Sequence, residues 1–326
     1  MEKKYDVIGI GSALLDFIVE VDDNVLAEMN LEKGTMKLIE EEDSIKILSK
    51  LAKYDVKTSP GGSAANTLAG VGILGGSALL LGKIGKDEHG DIYEQKTNDS
   101  GILTKLARHD SYKTGHAITF ITPDTERTFA THLGAALHFR QEDVFKEEIK
   151  NSKILHIEGY QLDKLAPELK KTAIYAMKTA KENDVKVSID LADPALIKRN
   201  IDDLESIVKN YANIIFVNET EAEAFTGKKD EEALHAIYDI CDIAVVKLGA
   251  EGSLVKSENI VYKIPINKVD VVNTHGAGDA YAAGFLYSIA NGFNMEKAGK
   301  IAAYISAKVV SSIGARLEKK IDVDSI

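Results

Sequence analysis

The stretch KILHIEGYQLDKLAPELKKTAIYAMKTAKENDVKVSIDL (153–191) decides the fold. Its ends, KILHIEG (153–159) and VKVSIDL (185–191), are short apolar runs of the length expected for strands buried on both faces. Between them, 166–183 is an amphipathic segment of helix length. Two strands joined by such a crossover lie parallel in one sheet. The same alternation continues outward. YDVIGIG (5–11), NIIFVN (213–218) and DIAVVKLG (242–249) read as further buried strands, and 41–52, 64–74, 220–226, 231–239, 279–291 and 296–312 as helices. This pattern predicts an α/β fold, a doubly wound, mostly parallel sheet flanked by helices.

Two regions break the rhythm. LLDFIVEVD (14–22) with GTMKLI (34–39), and GHAITFITPDTERTFATHLGAA (115–136) with its PDTE turn, alternate as half-exposed strands do. They predict antiparallel strands forming a small β-sheet lid. No repeat, low-complexity tract or linker interrupts the chain, so 1–326 reads as one domain with the lid inserted within 14–39 and 115–136.

Composition narrows the function. With 326 residues, 44% of them hydrophobic, the chain can bury a sizeable core. A net charge of −11 argues against nucleic acid and anionic membrane as partners and favours a small molecule. The single cysteine, Cys241, excludes an intrachain disulfide and a cysteine metal cluster, and fits a reducing, cytoplasmic setting. The N-terminal apolar run turns polar again at Asp16, too short to span a membrane, and reads as a first strand.

The glycine-rich stretches carry the chemistry. Gly9 and Gly11 resemble the start of a dinucleotide fingerprint, but Leu14 stands where the third glycine is required, which disfavours a dehydrogenase. No G-x-x-x-x-G-K-[ST] occurs, so any ATP is held without a P-loop. In SPGGSAANTLAGVGILGG (59–76), close packing of a helix on a sheet explains the small residues but not Asn66. In VVNTHGAGDAYAAGFL (271–286), Gly276, Ala277 and Gly278 precede Asp279 at a helix start, where unpaired N–H groups and the helix dipole attract anions. A carboxylate there repels an anion unless it has a task such as accepting a proton, and a proton acceptor beside a bound phosphate reads as phosphoryl transfer to a hydroxyl. On these residues alone, Asp279 is also compatible with a plain first-turn acid.

GGSAAN (61–66) and NTHGAGD (273–279) together resemble the two signatures of the ribokinase-like, phosphofructokinase B-type family of carbohydrate and nucleoside kinases. GKIGKDEHG (82–90), VNETE (217–221) and VVKLGAEG (245–252) resemble further motifs of that family, so the likeness covers nearly the whole chain. GIGSALLD (9–16), the lid segments and EGYQL (158–162) look most like the adenosine kinase branch. The resemblance implies that Asp279 takes the proton of a primary hydroxyl attacking the γ-phosphorus of ATP, with Gly276, Ala277 and Gly278 as an anion hole. It implies Mg2+ held by Asn218 and Glu221, largely through water, and a nucleotide beside Lys247, Gly249, Gly252 and Thr274. Glu221 and Lys247 also read as an ordinary helix-face acid and a strand-end charge. On the acceptor side it implies sugar hydroxyls bound by Asp16 with Ser12, Gly62 and Asn66, a base stacked on Tyr160 and covered by Leu38 and Leu133, and Arg127 swinging over the phosphates. Tyr160 reads equally as core packing.

Two departures bear on the acceptor and on cations. Asn273 replaces the aspartate that usually opens the second signature and that relatives link to monovalent-cation activation. Ser12 stands where adenosine kinases commonly carry asparagine. The sequence therefore predicts an ATP-dependent nucleoside kinase acting on adenosine, with purine salvage as its setting, against a sugar kinase for ribose, fructose or another keto-sugar, and a binding protein without chemistry. Monomers and lid-mediated homodimers are both compatible with it.

Overall fold

The computed structural model describes residues 3–312, 314–317 and 319–326. Among these residues the strands are β1 (Tyr5–Ile10), β2 (Leu14–Glu20), β3 (Met36–Leu38), β4 (Lys57–Gly61), β5 (Ala78–Gly85), β6 (Leu103–His109), β7 (Gly115–Ile121), β8 (Arg127–His132), β9 (Ser152–Glu158), β10 (Lys186–Asp190), β11 (Ile214–Asn218), β12 (Ile243–Lys247), β13 (Ser253–Ser257) and β14 (Ile260–Ile264). Nine form one sheet in the order β14-β13-β12-β11-β10-β9-β1-β5-β6. From β12 to β6 every pairing is parallel; at one edge β13 alone runs the other way, pairing antiparallel with both β12 and β14.

The continuous apolar strands are explained by burial on both faces. Val7, Leu80, Phe216 and Val245 pack on one side with the helices Ser63–Ile73, Ala277–Ala290 and Met295–Val310. Ile8, Leu155, Val187 and Ile215 pack on the other with Pro167–Lys181, Pro194–Tyr211 and Asp230–Tyr238. The helix Pro194–Tyr211 was not among those expected from the sequence; its start has a clear local cause, with Pro194 in the first turn and the Asp193 side chain accepting from the Leu196 N–H.

The remaining strands form the small sheet, in the order β3-β8-β7-β2-β4. One face buries Leu15, Phe17, Val19, Ile118 and Phe120, and the alternate residues face the other way, as the period of two demands. The expectation of antiparallel strands needs correction, because β2 pairs β7 and β3 pairs β8 in parallel, and only β7–β8 and β2–β4 are antiparallel. Strands β2 and β7 belong to separate excursions from the main sheet that run in the same direction, whereas β7 and β8 are joined by the tight turn at 122–126. The sheet also recruits β4, which lies outside both 14–39 and 115–136. No helix among the described residues is long and apolar enough to cross a membrane.

Candidate active site

Strand β1 lies between β5 and β9, so the sheet builds outward from it in two directions. That reversal opens a crevice at the carboxyl ends of the strands, the usual ligand site of open α/β sheets. The polar groups of the site are strand ends. Ser12 follows β1, while Glu158, Asp190, Asn218 and Lys247 are the last residues of β9, β10, β11 and β12. Glu158 pairs in register with Asp190, and Asn218 with Lys247.

Asp279 stands in the first turn of the helix Ala277–Ala290, capped by Gly276 in the left-handed conformation (φ 79°). A side chain at Gly276 would also meet Ala315, whose carbonyl oxygen lies 2.7 Å from the position of the missing Cβ. The Asp279 carboxylate is fixed at both oxygens. Oδ1 accepts from the Ser63 hydroxyl at 2.7 Å and Oδ2 from Asn66 Nδ2 at 2.9 Å. The two glycine-rich segments, distant in sequence, thus meet at this carboxylate. Burial pushes its pKa up to about 6, against the lowering effect of those two hydrogen bonds.

Asp16, on β2, borders a cavity of 560 Å³ together with Asn66, Arg127, His275 and Arg316. Its carboxylate lies against Gly61, where a Cβ would approach its Cγ to 2.6 Å, so only glycine leaves it room. Burial raises its pKa to about 7, opposed by the charges of Arg316 and Arg127. Gly62 caps the helix Ser63–Ile73 directly over the Ser12 carbonyl. The Ser12 hydroxyl accepts from Gln161 Nε2 at 2.9 Å, and the Ser12 N–H donates to Glu158 at 2.9 Å. The set expected to cover a base is not gathered here. Leu38 is exposed on β3, Leu133 is half-buried at the end of the lid and Tyr160 is 40% exposed after β9; none of the three lines the cavity.

On the opposite flank, Asn218 and Glu221 cap a helix reciprocally: Asn218 Oδ1 accepts from the Glu221 N–H at 2.9 Å, and Glu221 accepts from the Asn218 N–H at 2.7 Å. Burial and the neighbouring Asp190 push the Glu221 carboxyl well above the usual range. Lys247 donates to Asp190 at 2.9 Å and reaches the helix start, with Nζ 3.2 Å from where a Cβ on Gly278 would sit. Burial disfavours its charge, but Asp190 and Glu221 outweigh that and hold it protonated. Gly249 and Gly252 form the turn between β12 and β13, and the Thr274 carbonyl accepts the Ala277 N–H at 3.2 Å. Among the described residues, no group of three or more histidine, cysteine or acidic side chains is arranged to hold a metal ion.

Four polar residues of the site carried no assignment from the sequence. Glu158 and Gln161 are buried beneath Ser12, with Glu158 also accepting from the Ala64 N–H at 2.8 Å. Asp190 holds Lys247. Arg316 donates from Nε to Asn66 Oδ1 at 2.8 Å. Buried strand-end acids leave a trace in the sequence, as in HIEG and SIDL, where a carboxylate closes an apolar run. Arg316 leaves none.

A strand-end crevice, a glycine-bounded helix start and a carboxylate fixed between the two define a phosphotransferase that uses an alcohol group as acceptor. The chain belongs to the pfkB family of carbohydrate kinases, whose pattern matches residues 31–321. It is 28% identical to the 5-dehydro-2-deoxygluconokinase of Bacillus subtilis (strain 168), over 95% of this chain and 91% of that one. It is 27% identical to the adenosine kinase of Saccharomyces cerevisiae, over 94% and 95%. The crystal structure of adenosine kinase from Sinorhizobium meliloti superposes with a TM-score of 0.89 at 31% identity, covering 99% of this chain and 98% of that one. A probable sugar kinase from Rhizobium etli CFN 42 gives 0.88 at 29%, over 99% and 97%.

Proposed function

We propose that the protein transfers the γ-phosphoryl group of ATP to the primary hydroxyl of a nucleoside, with adenosine as the preferred acceptor. The observation that carries the reaction type is the Asp279 carboxylate, pinned by Ser63 and Asn66 beside the helix start at Gly276–Gly278. In this reading the acceptor oxygen bonds to the γ-phosphorus as the bond to the β-bridging oxygen breaks. Its proton passes to Asp279, and ADP leaves. The helix start and Lys247 face the charge that spreads over the transferring group. Asp16 accepts hydrogen bonds from ribose hydroxyls, a task for which a carboxylate has only acceptors to offer. Asp190 at the end of β10 and Glu221 just after β11 suit a hydrated hard cation, so Asn218 and Glu221 would hold magnesium largely through water, and it would supply positive charge to offset that of the phosphates.

Similarity to the adenosine kinases supports the nucleoside, at 31% identity for the Sinorhizobium protein. A sugar acceptor is the second reading, favoured by a cavity lined by Lys57, Lys96, Arg127 and Arg316 rather than by Leu38, Leu133 and Tyr160. ADP release measured with ATP, magnesium and a panel of adenosine, other nucleosides, ribose, fructose and 5-dehydro-2-deoxygluconate separates the two. Adenosine should give the highest kcat/KM. A sugar that outperforms every nucleoside would replace the acceptor and keep the reaction, and no ADP with any acceptor would remove the kinase reading.

A further inference from the structure

We infer that Arg316 is a positioning residue that couples occupancy of the acceptor cavity to the orientation of the Asp279 base; this rests on the kinase reading above. Three bonds carry the inference. Arg316 Nε donates to Asn66 Oδ1 at 2.8 Å, Asn66 Nδ2 donates to Asp279 Oδ2 at 2.9 Å, and Arg316 Nη2 lies 3.5 Å from the Gly61 carbonyl. A guanidinium has donors only, so with Arg316 in place the oxygen end of the Asn66 amide must face it. The amide nitrogen is then left to face Asp279. Without Arg316, nothing else among the described residues bonds Asn66 Oδ1, and the amide can turn its oxygen toward the carboxylate and repel it.

The third nitrogen is left without an acceptor. Nη1 is buried and has no hydrogen-bond partner among the described residues. A buried donor left without a partner costs about 1–3 kcal/mol, and such groups are rare enough that each calls for a missing acceptor. Arg316 borders the same cavity as Asp16, so the acceptor's own oxygen can complete its shell. Asp16 takes hydroxyl protons and Arg316 offers one, a pairing suited to an oxygen-rich acceptor with both donors and acceptors. With the acceptor bound, the guanidinium is held from both sides, Asn66 is fixed and Asp279 is aimed. In the empty cavity Nη1 lacks an acceptor and the chain is held less firmly, which disfavours transfer to water.

The test uses the full chain, ATP, magnesium and the best acceptor of the panel, with Arg316→Gln, Arg316→Lys, Asn66→Ala and the Arg316→Gln/Asn66→Ala pair. A base misaligned by about an ångström loses on the order of 10²-fold in rate, so Arg316→Gln should lower kcat by about 10- to 100-fold and raise KM for the acceptor. Arg316→Lys should recover KM more than kcat, because one ammonium cannot hold Asn66 and the acceptor as a planar fork does. The double variant should be no slower than Asn66→Ala alone, as expected of residues acting in series. A purely structural arginine would instead lower the melting temperature, leave kcat per folded molecule unchanged and give additive losses. Either unchanged kcat or additivity overturns the inference. If Arg316→Gln does not fold, Arg316→Lys is judged by the same two criteria. Wild-type protein that phosphorylates nothing overturns both this inference and the kinase reading, whereas active wild type with unaffected variants overturns this inference alone.

Discussion

A free aspartate titrates near 4, and an acid at a helix N-terminus is if anything easier to ionise. At Asp279 burial reverses this and brings the carboxyl to about 6. The sign follows directly: the base must be deprotonated to act and Asp16 ionised to bind hydroxyls, so kcat/KM should level off only above about pH 7, fall about tenfold per unit from 7 to 6, and fall more steeply below 6. A profile flat down to pH 4.5 would mean that Asp279 is not the titrating base. Asp279→Asn keeps the shape and removes the proton acceptor, and kcat should drop by about 10²- to 10⁴-fold with acceptor affinity little changed. A plain first-turn acid would cost only about 0.3–1 kcal/mol of stability and leave kcat intact. Asp279 was legible in the sequence because its chemistry is local, an acid directly after three small residues. Asn66 was legible for the same reason, as the one amide side chain in a run of small residues. Arg316 was not, since its partner is 250 positions away and its neighbours LEKK look like a solvated charge run.

At the level of elements, the strands of the sheet centre were readable because burial on both faces leaves an unbroken apolar run, as in KILHIEG and VKVSIDL. Pairing direction in the lid was not, because alternation reports which face a residue takes and says nothing about which neighbour it bonds. That mixed sheet carries Asp16 and Arg127 toward the cavity from two different strands. Acceptor binding should therefore draw the lid down, and amide exchange in 115–136 should slow when saturating acceptor and a nonhydrolysable ATP analogue are added together. Unchanged exchange there would argue for a lid that is already closed. The Gly276 cap makes a second, sharper demand. An alanine there meets both a left-handed backbone, at about 1–2 kcal/mol, and the Ala315 contact. Gly276→Ala should lower the melting temperature and, by shifting the helix start, lower kcat as well; a variant with wild-type kcat would show that the backbone at this cap plays no part in the reaction.

Across the whole molecule, buried ionisable groups pull stability in opposite directions with pH. His116 and His156 are buried neutral, both pushed down to about 4 by desolvation, so below pH 6.5 the unfolded chain takes up protons that the folded one refuses, and stability falls. Asp16, raised to about 7, does the reverse: the folded chain keeps a proton that the unfolded chain has lost above 3.8, and stability falls as pH rises toward 7. Asp16→Asn removes the share of the second slope that Asp16 contributes and leaves the histidine slope in place. At about 1.4 kcal/mol per pH unit of displacement, the variant should gain at most ~4 kcal/mol at pH 8 while losing acceptor binding, and should lose more stability than wild type between pH 6.5 and 4. Denaturant titrations at pH 5 and 8 check both, and a variant less stable than wild type at pH 8 would mean that the charge of Asp16 is needed to hold its facing arginines. The separation of strand ends from lid, finally, has an evolutionary consequence. On the function proposed above, Asn218 and Lys247 on the phosphate side are anchored to the register of the parallel sheet, whereas Asp16 and Arg127 on the acceptor side hang on the lid strands. Lid substitutions can therefore retune the acceptor without disturbing the transfer machinery. Near-equal kinship to a nucleoside kinase and to a sugar kinase, 27% and 28% identity, is the footprint that such divergence leaves in descendants of a common ancestor.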